Sequence, residues 1–213
     1  MKKKSLTSIL RIIAEVLSLA IFVFLFLNNK LQLWILIFGA AALLSLFLGR
    51  FYCNYICPMN TLFRPINWLY SKLKIKKIKT PRFLKWKGLR IIILVLFIVS
   101  MILIKKMGLE INMILYMTAF AVFLALFFEE NLWHRHLCPF GTILSITSRP
   151  AHYRMEIDED GCISCGKCQK VCPADSIITL ENGKRQNIQN ECILCGRCVD
   201  VCPKSVCVMK MKK

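Results

Sequence analysis

The sequence predicts an α-helical membrane domain followed by a small α+β domain, and three observations support this fold class. Of the 213 residues, 56% are hydrophobic, and a mean hydropathy of +0.54 is high for a soluble chain. The long apolar runs are confined to residues 1–150. Residues 151–213 instead contain one cysteine spacing twice, so we place the boundary between the two domains after residue 150.

Four apolar runs predict four transmembrane helices, because each approaches the ~20 residues that cross a bilayer. The runs are Ser8–Leu27, Leu31–Leu48, Leu89–Ile104 and Ile111–Phe128. The third run is short, but the side chains of Lys105 and Lys106 can reach the headgroups and extend it. The first run would be long for the core of a signal peptide, and no small-residue cleavage site follows it. We therefore expect the first helix to be retained.

The Lys and Arg residues predict the orientation of these helices. Three lysines precede the first run, and the loop Gly49–Gly88 has ten basic residues and no acidic one. The positive-inside rule places both termini and this loop in the cytoplasm, as in a multi-pass protein of the inner (cytoplasmic) membrane. All twelve cysteines then lie on the cytoplasmic side. Thiols stay reduced there, so metal binding is favoured over disulfide bonds.

The net charge of +18 is concentrated in the predicted membrane domain. Residues 151–213 have ten basic and eight acidic residues, which is a net charge of only +2. This distribution argues against a nucleic-acid-binding surface on the second domain. The basic run Lys72–Lys87 lies between two predicted membrane helices, so membrane lipids are its expected partner.

Eight cysteines in the second domain form two copies of the spacing C-x2-C-x2-C-x3-C-P. This run binds 4Fe–4S clusters in bacterial two-cluster ferredoxins, where the fourth cysteine of each copy serves the other cluster. One cluster is then predicted on Cys162, Cys165, Cys168 and Cys202. The other is predicted on Cys172, Cys192, Cys195 and Cys198. A zinc site or a disulfide framework would explain neither the third cysteine nor the Cys-Pro ending.

The segments around these cysteines predict short strands. Ser176–Leu180 and Arg185–Ile188 predict a β-hairpin, because turn-forming residues separate them. After the second copy, Val206–Met209 resembles the strand segment of the first copy, and the 30-residue spacing of the two copies makes Cys207 correspond to Ile177. Cys207 is either an additional ligand or a small buried core residue, and we favour the second interpretation.

The predicted membrane domain contains a second repeat. Each copy has two predicted helices followed by a loop with a Cys-Pro pair, Cys57-Pro58 in the first copy and Cys138-Pro139 in the second. In this register Cys53 corresponds to His134. Because an even number of predicted helices separates the loops, both loops emerge on one face and the two-helix repeats are parallel.

Three thiols and one imidazole come to matched positions in this repeat: Cys53, Cys57, His134 and Cys138. Three interpretations remain open. These side chains could bind a third iron–sulfur or other metal centre at the membrane surface, since mixed Cys/His ligation occurs in Rieske centres. Cys53 and Cys57 could instead form a thiol redox site, or the cysteines could be structural residues buried under the loops. His136 is an alternative to His134 as a ligand.

Two further features bear on the membrane part. Four aliphatic residues recur at helical spacing after Cys57, which predicts an amphipathic helix at the membrane interface; they are Leu62, Ile66, Leu69 and Leu73. Glu15 lies within the first predicted membrane helix, where a carboxylate is costly and often functional. It is a candidate proton acceptor for quinol chemistry, or simply a residue that reaches the interface.

With its predicted membrane helices, its C-x3-C-P loop at Cys53–Pro58 and its two-cluster cysteine module, the chain resembles the NapH-like family of membrane-bound iron–sulfur proteins. That family shares its plan with NosR and CcoG. The resemblance implies electron transfer between the quinol pool, or a membrane redox partner, and another redox protein. The second loop departs from the family pattern, because His134 stands where the family usually has a cysteine.

These observations lead to one expected function and two alternatives. We expect a membrane-anchored iron–sulfur electron-transfer protein, such as the electron-transfer subunit of a quinol-linked oxidoreductase. The first alternative is a metal reductase or cofactor-maturation protein that uses Cys53, Cys57 and Cys138. The second is a redox sensor, which would need a regulatory partner domain. No nucleophile–base pair and no phosphate-binding glycine loop is recognisable in the sequence.

Overall fold

Four long helices lie in the predicted apolar runs. The computed structural model describes residues 6–86, 88–108 and 112–211. The long helices are α1 (Leu6–Leu27), α2 (Trp34–Leu48, preceded by a 3-10 turn at Leu31–Leu33), α5 (Leu89–Lys106) and α6 (Met113–Phe127). Some residues used in the sequence analysis lie outside the described residues: the N-terminal Lys2, Lys3 and Lys4, Lys87 of the basic loop, and Ile111 at the start of the fourth apolar run.

Among the described residues, two helical stretches are long and apolar enough to cross a membrane, namely Leu10–Leu27 and Leu31–Leu48. The helix α6 is apolar but shorter, and α5 contains Arg90, Lys105 and Lys106. The outer faces of these helices are apolar, as lipid contact requires; Leu36 and Leu43 on α2 are both 69% exposed. The helical N-terminal region with candidate spans is thus confirmed.

The inner faces of α2 and α6 follow the same pattern. The buried residues of α2 are Trp34, Phe38, Ala41 and Ser45. Those of α6 are Ile114, Thr118, Ala121 and Ala125. Both stripes advance by four, three and four residues, which places each stripe on one helix face. A narrow stripe of this kind suits a helix that packs on one side and faces lipid on the other.

Each of these two helices is followed by a short turn and a helix that begins at proline. After α2 come α3 (Phe51–Tyr55) and α4 (Pro58–Lys72). After α6 come a π-helical turn (Leu132–Leu137) and α7 (Pro139–Thr147). Proline favours the first helical position because its missing N–H is not needed there. Cys57 and Cys138 therefore occupy equivalent N-cap positions. The predicted amphipathic helix is α4, which packs against α1 and α6, while α7 packs against α2 and α5.

The C-terminal part is a small α+β unit. Strand β1 (Tyr153–Ile157) pairs antiparallel with β4 (Cys207–Met211), and β2 (Ile177–Thr179) pairs antiparallel with β3 (Arg185–Asn187). Two short helices, α8 (Lys167–Lys170) and α9 (Arg197–Val201), each follow a cysteine loop. The predicted hairpin and final strand are therefore present, and β1 is an additional strand that the sequence analysis did not predict.

Candidate iron–sulfur centres

The structure brings each predicted set of four cysteines together around its own cavity. Within the described ranges, the first cavity is lined by Cys162, Cys165, Cys168 and Cys202, and the buried Cys207 also lines it. The second is lined by Cys172, Cys192, Cys195 and Cys198. Each set takes three cysteines from one copy of the motif and the fourth from the other copy. This exchange is the arrangement that the cysteine spacing predicted.

The backbone repeats the same conformation in the two cysteine loops. Ser164 and Leu194 have φ angles of 57° and 56°, and Gly166 and Gly196 have φ angles of 69° and 74°. Left-handed φ angles are costly for residues other than glycine, so their recurrence at equivalent positions indicates a constraint of the site. Amide groups consequently point at sulfur: Leu194 N–H donates to Cys192 Sγ at 3.4 Å. Ser176 N–H likewise donates to Cys172 Sγ at 3.3 Å.

The donor sets fit clusters better than single metal ions. In the part of the chain that the structure describes, no three His, Cys, Asp or Glu side chains are arranged to hold one ion. A zinc ion needs all its thiolates at about 2.3 Å from one atom, whereas a cubane binds each thiolate to a different iron and separates the sulfurs. Four thiols around one cavity, three of them from one C-x2-C-x2-C loop, are the donor set that a cubane requires.

Burial raises the pKa of thiols in both sets, so that these thiols become thiolates only when a bound cation stabilises the negative charge. Burial raises the pKa of the Cys192 thiol to about 12, and that of Cys168 to about 11. Thiolate is the form that binds metal, and a bound cation is what stabilises it in an apolar setting. We therefore infer that the Cys192 and Cys168 thiols are protonated without iron and lose their protons on cluster binding.

The two cysteine sets differ in their surroundings. Cys172 and Cys195 pack against the core formed by α2, α3, α6 and α7. Arg11 on α1 donates a hydrogen bond to the Cys195 carbonyl at 2.5 Å. In the other set Cys165 is exposed, and the adjacent Ile163 is 54% exposed. The Cys192 set thus faces the membrane part, whereas the Cys162 set opens towards solvent.

The membrane-surface cysteines lie together in the core beneath the Cys192 set. Cys53, Cys57 and Cys138 are all buried and belong to one packed cluster with Tyr52 and Trp133. Burial, followed by the nearby Cys53, raises the pKa of Cys138 to about 12. Gly141 N–H donates to Cys138 Sγ at 3.3 Å, which matches the amide-to-sulfur bonds of the other two sets.

His134 is buried beside these thiols in a form that suits metal binding. Its ring packs edge-on against Phe63, with 5.6 Å between ring centroids. Burial lowers the pKa of His134 to about 3, so the imidazole is neutral. Its Nε2 atom is buried and has no hydrogen-bond partner among the described residues. A neutral imidazole with an unpartnered nitrogen has the form in which histidine binds a metal ion. His136, in contrast, lines a separate basic cavity.

The sequence analysis assigned no individual role to two charged residues that the structure buries beside the cysteine sets, Arg50 and Glu191. The Arg50 side chain is fully buried, and its Nη1 lies 2.9 Å from Glu191 Oε2. Its Nη2 donates to the His134 carbonyl at 3.2 Å. Glu191 also accepts hydrogen bonds from Arg90 at 2.5 Å and from Ser145 at 3.0 Å. Burial alone would raise the pKa of the Glu191 carboxyl, but Arg50 and Arg90 lower it below its usual value. The only local signal was position: Arg50 precedes the first cysteine loop, and Glu191 precedes Cys192.

Comparison with known families agrees with these sites. A family described as "4Fe-4S binding domain" matches residues 31–77 and 111–154. A family described as "4Fe-4S dicluster domain" matches residues 154–203. The first match covers both Cys-Pro loops, and the second covers all eight cysteines of the two predicted clusters. No solved structure matches the chain significantly.

Three curated relatives show the same resemblance. The putative electron transport protein YccM of Escherichia coli is 26% identical over 162 residues, which cover 65% of this chain and 45% of the relative. The methylamine utilization ferredoxin-type protein MauN of Methylobacillus flagellatus is 31% identical over 149 residues, covering 62% and 51%. The ferredoxin-type protein NapH of Haemophilus influenzae is 28% identical over 154 residues, covering 65% and 54%. The chain thus spans about half the length of the curated relatives it matches, and the NapH-like resemblance is confirmed.

Proposed function

Since this chain belongs to the ferredoxin-type iron–sulfur electron-transport proteins, we propose that it passes electrons between the membrane and a soluble redox protein. The membrane donor or acceptor is the quinone pool or a membrane redox partner. In this proposal the chain is a multi-pass protein of the inner membrane with both termini in the cytoplasm. Residues 1–150 anchor it, and residues 151–213 bind two 4Fe–4S clusters.

The observation that carries this proposal is the order of the cysteine sets. The Cys192 set packs against the membrane part, and the Cys162 set has the exposed Cys165. We call the Cys192 set the inner set and the Cys162 set the outer set. An electron that enters near the membrane surface then reaches the inner set first and leaves from the outer set. A cubane supplies one-electron chemistry with little rearrangement, so the protein needs only to hold and insulate it.

The chain's own groups would tune this transfer. Amide hydrogen bonds to cysteine sulfur, such as those donated by Leu194 and Ser176, stabilise the more negative reduced state. The buried guanidinium of Arg50 lies between the Cys53 loop and Glu191, close to both the inner set and the membrane-surface thiols. Its positive charge favours reduction of a centre on the Cys53 side, whereas the Glu191 carboxylate offsets that charge on the side of the Cys192 set.

A third centre at the membrane surface is part of this proposal. Cys53, Cys57, Cys138 and His134 would hold it, and the burial of all four residues together with the free Nε2 of His134 supports the assignment. The match of a 4Fe–4S family to both Cys-Pro segments supports it further. The same burial counts against the alternative of a thiol redox or metal-delivery site, because solvent-borne ions and thiols need access.

Iron analysis with EPR of the full chain, purified anaerobically in detergent, tests the proposal. We expect about twelve irons per chain with the third cubane and about eight without it. Replacement of Cys138 by Ala should then remove one centre, whereas replacement of Cys207 by Ala, the buried core cysteine, should remove none. A quinol analogue should reduce the EPR-active clusters. A colourless, iron-free protein would refute the proposal, and loss of copper or iron reductase activity in Cys57→Ala would favour the maturation alternative.

A further inference from the structure

A basic cavity of about 450 Å³ lies beside Glu191, at the junction of the membrane part and the C-terminal part. Four cations line it: Lys85, Arg90, Arg135 and Arg149. The residues Asn190 and Glu191 come to it from the C-terminal part, while α5 and α7 supply the opposite wall. None of the cysteine sets uses this cavity, so it is a separate site.

The charges around this cavity are not balanced by acidic groups within the described ranges. Glu191 is the one carboxylate in the lining, and Arg50 and Arg90 already pair with it. Arg135 donates to a backbone carbonyl, and Lys85 lies 3.9 Å from the Asp175 carboxylate. Arg149 forms no ion pair with any described residue. Guanidinium groups with unused N–H donors match the oxygens of a phosphate group.

The rim of the cavity is apolar on one side. Ile91 on α5 is 59% exposed, and Ile146 on α7 is 53% exposed. Arg90 is the second residue of α5, so the cations lie where that apolar helix begins. A ligand that satisfies both features has an anionic head beside the arginines and an apolar tail along the isoleucines. Basic pockets at the cytoplasmic ends of membrane helices bind anionic lipid headgroups in this way.

We propose that this cavity binds the phosphate headgroup of an anionic phospholipid, with its acyl chains along Ile91 and Ile146. The inference rests on the proposed membrane placement of α5 and α7. A bound phosphate would contact cations from the membrane part while Glu191 and Asn190 of the C-terminal part form the adjacent wall. The lipid would thereby hold the inner cysteine set against the membrane surface, because Glu191 directly precedes Cys192.

Native mass spectrometry of the full chain in a neutral detergent tests this proposal. Phosphatidylglycerol and phosphatidylcholine are added at equal concentration, and the ratio of their adducts is measured. The test variant is Lys85→Gln with Arg149→Gln, and both side chains are exposed enough for the fold to survive. The matched control is Lys74→Gln with Lys76→Gln, which removes two exposed charges away from the cavity.

We expect the wild type to prefer phosphatidylglycerol and the test variant to lose about 25-fold of that preference, about five-fold for each cation. The control should keep the wild-type ratio. Equal binding of the two lipids by the wild type, or equal loss in the two variants, would overturn the proposal. Displacement of the lipid by millimolar inorganic phosphate would show that the site takes a free anion instead. Iron content is measured on the same samples, so a failure of the proposed electron-transfer function is seen separately.

Discussion

Arg50 and Glu191 form a buried ion pair that joins the two parts of the molecule. The Arg50 side chain is 0% exposed and that of Glu191 is 7% exposed, with 2.9 Å between Nη1 and Oε2. Arg50 begins the loop that contains Cys53, and Glu191 directly precedes Cys192. The pair therefore connects the membrane-surface thiols to the inner cysteine set through one short contact. A change in either residue should affect both the packing of the two parts and the clusters between them.

The first prediction concerns the loss of one member of this pair. Glu191→Gln leaves the Arg50 charge buried without its counter-ion, which typically costs about 3–5 kcal/mol. We expect a large fall in the thermal unfolding midpoint in detergent, together with loss of iron. Glu156→Gln is the matched control, because Glu156 pairs with the exposed Lys210 and such pairs contribute about 0–1 kcal/mol.

The double variant Arg50→Met with Glu191→Gln removes both charges. It should recover part of the lost stability, because the fully buried charge at position 50 is then gone and only the partly exposed Arg90 has lost its carboxylate partner. If Glu191→Gln unfolded at the same temperature as Glu156→Gln, the pair would not hold the two parts together.

The second prediction concerns the close packing around Arg50. A Cβ at Gly141 would lie 2.8 Å from Arg50 Nη2 and 3.2 Å from the His134 carbonyl oxygen. Gly141→Ala should therefore displace Arg50 and cost about 1–3 kcal/mol, as overpacking typically does. The control is Gly39→Ala in α2, where a Cβ meets no atom within 4 Å.

The control should be neutral or raise stability by roughly 0.5–1 kcal/mol, because alanine favours a helix interior over glycine. The comparison is made by thermal unfolding and iron content of the two variants. Equal midpoints for Gly141→Ala and Gly39→Ala would show that Arg50 has room to move.

The cysteine sets were predictable because their geometry is local. Three ligands of each cluster lie within one short loop, and the left-handed turns at Ser164 and Leu194 follow from that spacing. The helices were predictable because apolar runs of sufficient length have few alternatives. Both kinds of signal depend on residues that are close in sequence. The predicted start of the third apolar run at Leu89 is accordingly the first residue of α5 in the structure.

The pair of Arg50 and Glu191 could not be predicted in the same way. Its members are 141 residues apart in sequence, and no local pattern links them. In the sequence, Arg50 was one of ten basic residues in a loop that the positive-inside rule explains without any pairing. The π-helical turn at Leu132–Leu137 was also unpredictable, because the equivalent segment of the first copy forms the α-helix Phe51–Tyr55.

The third prediction concerns Glu15, the carboxylate within the first apolar helix. The sequence left open whether it accepts a proton in quinol chemistry. In the structure its Oε1 lies 2.7 Å from Arg64 Nη2 on α4, and the Glu15 side chain is 4% exposed. An acid paired with a guanidinium in this way is most simply a structural contact between α1 and α4.

Glu15→Gln should accordingly lower the unfolding midpoint while leaving the rate of cluster reduction by a quinol analogue unchanged per folded molecule. The energetic cost should approach about 3 kcal/mol, because Arg64 keeps its charge in a half-buried position. Arg64→Gln is the companion variant and should show the same pattern. A stable Glu15→Gln protein that no longer accepts electrons from quinol would instead assign Glu15 to proton transfer.

The last prediction concerns the order of the two cysteine sets. Cys198 of the inner set and Cys168 of the outer set occupy the third position of their motifs, and both are buried. Cys198→Ala should remove the cluster nearest the membrane part and Cys168→Ala the cluster nearest the solvent, which EPR of the dithionite-reduced proteins can verify.

Because electron transfer slows steeply with distance, the remaining cluster should respond differently to a membrane donor in the two variants. In Cys168→Ala the membrane donor should still reduce the inner cluster at the wild-type rate. In Cys198→Ala dithionite should reduce the outer cluster, but the membrane donor should not. Equal reduction of both variants by the membrane donor would mean that electrons do not enter through the set that packs against the helices.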